Sequence, residues 1–189
     1  MELTDHEKLL IKIAKTLEDL NIKYFVTGGF AVSIWGRPRA TFDIDIVVKI
    51  IEPQAVPLAK ALRAISKAGY ADENMIKDAI RYNREFNFID PTTGLKVDFW
   101  VTKEKDNYPP EFKNRKLEKI GNQKVYFISP EDLILSKLHW YEQSESTRHL
   151  EDVESILRIS AKKLNWNYLN QWAKKLGLWK VLAELTQRK

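Results

Sequence analysis

Asp43 and Asp45 stand one residue apart in the apolar run DIDIVV, and Asp98 sits in a second run, LKVDFWV. Carboxylates in strand-like apolar runs are costly to bury unless each finds a partner. A divalent cation is the partner that serves three at once. Mg2+ prefers oxygen ligands and is usually held by one or two carboxylates plus substrate phosphates. Two such ions about 3.5–4 Å apart can stabilise both the attacking and the leaving oxygen of an in-line displacement. A D-x-D pair alone is more often a solvated strand face. Two further features reverse that weighting: Asp98 itself, and the glycine pair Gly28-Gly29 upstream. A Gly-Gly pair between a strand and a helix lets backbone N–H groups approach a phosphate at the helix N-terminus. A tight turn that needs positive φ gives the same pattern.

The elements that must position these residues are legible from periodicity. Residues 4–20 read as an amphipathic helix with a Thr4/Glu7 capping box. Lys23–Thr27 reads as a strand ended by the glycines, and Phe30–Trp35 as a short apolar helix stopped by Gly36 and Pro38. Phe42–Ile50 is a second strand. Asp43, Asp45 and Val47 share one of its faces and Ile44, Ile46 and Val48 the other, with same-face neighbours roughly 7 Å apart. Pro53–Ala68 is a second amphipathic helix, its apolar side formed by Val56, Leu58, Ala59, Leu62 and Ile65, with Gly69 at its cap. Met75–Asn83 fits neither period clearly. Phe86–Ile89 and Leu95–Val101, joined by DPTTG, form a hairpin. Its second strand places Lys96, Asp98 and Trp100 on one face and is expected beside the Asp43/Asp45 strand.

Asn107–Pro110 reads as a loop, followed by a short helix and an edge-type strand at Lys124–Ile128. Ser129-Pro130-Glu131-Asp132 is a helix start. Helices follow at about 130–142, 147–160 and 165–176, with a terminal piece. Mixed elements followed by helices alone predict an α+β fold: a small mixed β-sheet flanked by helices, with residues 1–128 as the core and 129–189 as a helical C-terminal annex packed on it.

The 189 residues suffice for one domain with such an annex, and 44% hydrophobic with 30% charged residues is ordinary for a globular chain. The absence of cysteine excludes disulfides and thiolate metal sites and fits a reducing compartment. The longest charge-free apolar stretch, Tyr24–Gly36, is too short to span a bilayer, and the first residues lack an apolar signal core. A cytoplasmic protein without a membrane partner is expected. The net charge of +5 favours polyanionic partners only weakly, because the lysines are spread along the chain.

The run G-G-x-A-x-x-x-x-G-x-x-R-x-T-x-D-x-D, from Gly28 to Asp45, resembles the signature of the DNA polymerase β-type nucleotidyltransferase superfamily. Within it the pattern is most similar to two branches. One is the AbiEii-type nucleotidyltransferases, which include toxins acting on tRNA. The other is the aminoglycoside and lincosamide nucleotidyltransferases. Residues 129–157 resemble the region after the core in these proteins, with Lys137, Arg148 and Asp152 at similar positions. Many superfamily members carry Gly-Ser where this chain has Gly29-Phe30, so a side-chain phosphate contact is missing and the backbone cradle is not.

The resemblance implies an NTP substrate and two Mg2+ ions, with Mn2+ able to replace them. Asp43 and Asp45 would hold both ions. Asp98 would hold the ion that activates an acceptor hydroxyl and could serve as its base. Gly28 and Gly29 would contact the triphosphate. Arg39 either holds a phosphate or pairs with Asp43 or a nearby acid, and Lys137 either reaches the triphosphate or is a surface lysine. The implied reaction moves a nucleoside monophosphate to a hydroxyl of RNA (tRNA among them), a protein or a small molecule, releasing pyrophosphate. A toxin-type enzyme would bring an antitoxin or other cognate protein partner. The competing reading is a catalytically silent antitoxin or regulatory binding protein with the same fold. A weaker third option is a charge-driven nucleic-acid binder. His6, His139 and His149 lack metal-ligand spacing and read as surface or interface residues, and Arg148/Asp152 as an i, i+4 ion pair. Trp100 is of interest because it shares the Asp98 face.

Overall fold

The computed structural model describes residues 2–66, 69–102 and 109–187. Helix α1 (Asp5–Asp19) opens with the expected box: Thr4 Oγ1 accepts from the Glu7 N–H at 3.2 Å, and Glu7 Oε2 accepts from the Thr4 N–H at 2.8 Å. Its Leu9, Leu10, Ile13, Ala14 and Leu17 are buried. Then come β1 (Lys23–Thr27), α2 (Gly28–Trp35) and β2 (Asp43–Lys49), a 3-10 turn (Glu52–Gln54), α3 (Ala55–Ile65) and α4 (Glu73–Tyr82). A hairpin, β3 (Glu85–Asp90) and β4 (Leu95–Val101), is followed by α5 (Glu111–Asn114) and a second hairpin, β5 (Lys116–Ile120) and β6 (Gln123–Phe127). From there on the elements are helical: α6 (Pro130–Ser144), α7 (Thr147–Ile159), a 3-10 turn (Ala161–Lys163), α8 (Trp166–Lys175) and α9 (Trp179–Gln187).

The six strands form one mixed sheet in the order β3-β4-β2-β1-β6-β5. β1 is antiparallel to β2 and parallel to β6, and β2 is parallel to β4. The fold is α+β, as the order of elements predicts. Alternation in β2 separates two faces. Ile44, Ile46 and Val48 are fully buried on the face shared with Tyr24, whose hydroxyl donates to Glu18 of α1 at 3.0 Å. Phe25, Thr27, Asp45 and Val47 point the other way, toward α6.

α6 starts as predicted, with Ser129 Oγ accepting from the Asp132 N–H at 3.1 Å and Pro130 at the first position. Trp35 at the end of α2 ties the layers together. Its Nε1 donates to the Ile128 carbonyl at 2.9 Å, and its own carbonyl accepts from Ser160 Oγ at 2.6 Å. Buried apolar side chains run from Leu9 in α1 to Leu185 in α9 as one cluster. Among the described residues no helix is long and apolar enough to cross a membrane.

Several expectations need correction. β6 is not an edge strand, because it lies between β1 and β5. β5, KLEKI, takes the edge and went unseen because three of its five residues are charged. The ambiguous stretch is helix α4, capped by Asp72 and closed by Asn83 in the left-handed conformation. Val56 is exposed and Ala55 is buried in α3, which starts after the 3-10 turn. The expected end of that helix at Ala68 and the start of the Asn107–Pro110 loop lie outside the described residues.

Candidate active site

β1 ends at Thr27, and α2 begins at once, with Gly28 making the left-handed turn from strand to helix and Gly29 in the first helical turn. Gly28 has φ +62°, a conformation that side chains disfavour. A Cβ there would collide with the carboxylate of Asp45. The backbone therefore lies directly against that acid. A Cβ on Gly29 would stand 2.7 Å from Thr41 Oγ1 and 3.3 Å from Arg39 Nη2, which back the same turn. Thr41 Oγ1 in turn donates to the Asp43 carbonyl at 3.2 Å.

Parallel pairing of β2 and β4 sets Asp45 opposite Asp98 and Asp43 opposite Lys96. The three acids thus share one face of adjacent strands. Burial raises the Asp45 carboxyl above its usual range, and the charges of Asp98 and Asp43 raise it further; a hydrogen bond from Trp100 and the charge of Lys137 act against them. Asp98 Oδ2 meets Lys96 Nζ at 2.8 Å, and this bond pushes the Lys96 ammonium up. Among the described residues no three His, Cys, Asp or Glu side chains form a group that could hold a metal ion in this arrangement. The donor set nonetheless fits a hard cation: three carboxylates crowd one face, and one of them has turned to an ammonium for a counter-charge.

A second cluster faces them from the C-terminal helices. Asp152 of α7 is 4% exposed and takes three bonds: Arg39 Nε to Oδ1 at 2.8 Å, Arg39 Nη2 to Oδ2 at 3.0 Å, and Lys137 Nζ to Oδ2 at 2.8 Å. Burial pushes Asp152 up, but the bonds from Arg39 and Lys137 outweigh it and hold the carboxyl below its ordinary value. Arg39 is therefore not the partner of Asp43. The i, i+4 pairing of Asp152 with Arg148 gives way to these two cations. Lys137 is not a surface lysine: it is 8% exposed and lines a cavity.

That cavity, of about 440 Å³, lies between the Phe25/Thr27/Asp45/Val47 face and α6. Gly28, Asp45 and Lys137 line one end of it. Trp100 and Trp140 line it too, their rings edge to face at 6.5 Å. His149 belongs to its wall and not to the open surface. Its Nδ1 is buried without a hydrogen-bond partner among the described residues, and burial, then Lys137, lower its pKa so that the ring is neutral. Glu111 also lines the cavity and drew no notice in the sequence, where it is one acid among 26. Asp152, the hub of the cation cluster, had only its i, i+4 spacing to mark it.

The fold is shared with ANT(2'')-Ia, solved in complex with adenylyl-2''-tobramycin (16% identity, 93% of this chain and 97% of that one, TM-score 0.62). The lincomycin-bound lincosamide adenylyltransferase LnuA is also similar (13%, 84% and 99%, 0.55), as is an antigenic nucleotidyltransferase-like protein from Paracoccidioides brasiliensis (22%, 82% and 78%, 0.54). At these identities the likeness is one of fold. No curated protein matches by sequence. The family described as uncharacterised nucleotidyltransferase matches residues 4–187, and the chain belongs to it, an NTP-using transferase by class.

Proposed function

We propose that the protein transfers a nucleoside monophosphate from a metal-bound NTP to an acceptor hydroxyl, releasing pyrophosphate. The observation that carries the reading is the register of β2 on β4, with Asp45 opposite Asp98 and pressed against Gly28. In this reading Asp43, Asp45 and Asp98 hold two Mg2+ ions, which Mn2+ can replace. When bound, the ions polarise the reacting phosphate and lower the pKa of the attacking hydroxyl. Gly28 and Gly29 present the first turn of α2 to the triphosphate. Lys137 supplies a point charge and Arg39 a second, both aimed by Asp152. Asp98, released from Lys96, takes the proton of the acceptor hydroxyl.

Residues 1–128 act as the catalytic core in this account, and the helices from 129 onward form the roof over the nucleotide. The cysteine-free sequence fits a reducing compartment, and in this account the enzyme acts in the cytoplasm. The acceptor belongs to one of three classes: RNA such as tRNA, a protein, or a small molecule. The tobramycin and lincomycin in the two structural neighbours support the last, and toxin-type action with an antitoxin partner accompanies the first.

The test is incubation with α-labelled NTPs and Mg2+ or Mn2+ in the presence of total RNA, protein extract or an aminoglycoside. Label should move to one acceptor class, and Asp43→Ala and Asp98→Ala should each abolish the transfer. The silent-binder reading replaces this one if no acceptor is labelled under either metal while both variants still bind a stoichiometric protein partner.

A further inference from the structure

The cavity has two chemically different ends. Gly28, Asp45 and Lys137 make one end anion- and cation-binding. One step along the sheet, roughly 7 Å away, Phe25 and Val47 pair across β1 and β2 and form an apolar floor. Leu133 lies over this end from the first turns of α6. Phe112 packs on Phe25 with ring centroids 4.9 Å apart, which brings its neighbour Glu111 to the same end. Asp43 and Asp98 are not part of the cavity lining. On the proposed reading, then, the acceptor comes from the Asp98 side and the cavity takes the nucleotide. Its phosphates sit against Gly28 and Lys137, and its flat base reaches the apolar end.

A carboxyl group at that end is costly without a partner. No hydrogen bond to the Glu111 carboxylate occurs among the described residues. Burial, then the nearby Asp132 charge, pushes this carboxyl up to about 7. The titratable groups facing it among the described residues are Asp132 at the start of α6 and Tyr168 from α8. These two are already satisfied by each other: the Tyr168 hydroxyl donates to Asp132 Oδ1 at 2.6 Å, and Asn114 Nδ2 donates to Asp132 Oδ2 at 3.2 Å. Tyr168 is raised well above its ordinary value, by burial first, and stays protonated. Lys137 and His149 share the cavity and add positive charge and a neutral ring. Among the described residues Glu111 is thus, beside the His149 ring, a polar group left over for a ligand.

We propose that Glu111 reads the Watson–Crick edge of a purine base and that its protonation state sets which purine is taken. As a carboxylate it offers two acceptors, which match the N1–H and N2–H donors of guanine. As a neutral acid it offers one donor and one acceptor, which match N1 and the N6 amine of adenine. Protons balance by exchange with solvent: guanine binding releases one from a protonated Glu111, and adenine binding takes one up. This inference rests on the nucleotide reading of the cavity.

The test is calorimetric binding of the α,β-methylene analogues of GTP and ATP with Mg2+, at pH 6 and pH 8, in two buffers of different ionisation enthalpy. The GTP-to-ATP affinity ratio should rise by about tenfold or more from pH 6 to pH 8, the size of one bidentate base contact. Titration of the triphosphate cancels in that ratio. Proton release with the GTP analogue and uptake with the ATP analogue should appear around pH 7. Glu111→Gln, which carries one donor and one acceptor at every pH, should favour the ATP analogue at both pH values and lose the proton exchange. A ratio that is the same at both pH values, or a Glu111→Gln protein with the wild-type ratio, overturns the base-reading role while leaving nucleotide binding intact. Failure of both analogues to bind overturns the nucleotide reading and this inference with it.

Discussion

On the proposed reading, Asp45 is costly to the fold and necessary to the site. It is half-buried, faces two other carboxylates and has a raised pKa, so its charge opposes folding at neutral pH. The Asp45→Asn protein should therefore melt about 3 °C higher than the parent in metal-free buffer, which corresponds to about 1 kcal/mol for a chain of this size. Its transfer activity should fall by more than about a thousandfold if Asp45 holds metal as proposed. A scanning melt beside the transfer assay checks both. Gly28→Ala should do the reverse to stability. A non-glycine residue at φ +62° costs about 1–3 kcal/mol before the collision with Asp45 is counted. Urea unfolding should show the loss. D-x-D, Gly-Gly and Asp98 stood out in the sequence because each is odd where it sits: charge in an apolar strand, or glycine between strand and helix. Glu111 has no such oddity. Its environment is made by Phe112 docking on Phe25, a contact between residues 87 positions apart by their numbering that no local pattern announces.

At the scale of elements, α7 is held to the sheet layer through Asp152. The acid joins Arg39, which follows α2, to Lys137 on α6, so three segments meet at one carboxylate. Asp152→Asn removes the anion and leaves two cations in a buried site, at a cost of about 3 kcal/mol. The pH dependence has a definite sign. The folded pKa of Asp152 lies below its ordinary value, so its contribution is fully present above about pH 4 and is lost as pH falls through the folded value. Urea midpoints measured between pH 6 and pH 3 should decline for the parent and decline less steeply for Asp152→Asn. Nucleotide affinity should also weaken in this variant, because Lys137 loses the partner that aims it. The helices themselves were legible: Thr4 and Ser129 cap α1 and α6 in the expected way. The edge strand β5 was not, because a strand exposed along one side carries Lys116, Glu118 and Lys119 and loses the apolar alternation that marks the others.

For the whole molecule, the decisive feature is the sheet order. With β2 flanked by β1 and β4, the glycine turn and Asp98 fall on either side of Asp43 and Asp45. The adjacency of β2 and β4 was expected from the way Asp98 sits in its strand, although paired positions 53 residues apart carry no pairing rule in sequence. The helices after residue 129 wall one side of the cavity with Lys137, Trp140 and His149. The role of His149 was hidden, since a lone histidine shows its value only through what surrounds it. The central claim is that this cavity takes a triphosphate through a divalent ion on Asp45 and its neighbours. Calorimetric titration with a non-hydrolysable NTP analogue tests it without any acceptor. Binding should require Mg2+, vanish in EDTA, and be lost in Asp45→Asn although that protein remains folded. Equal binding with Mg2+ and with EDTA, or undiminished binding in Asp45→Asn, would contradict it.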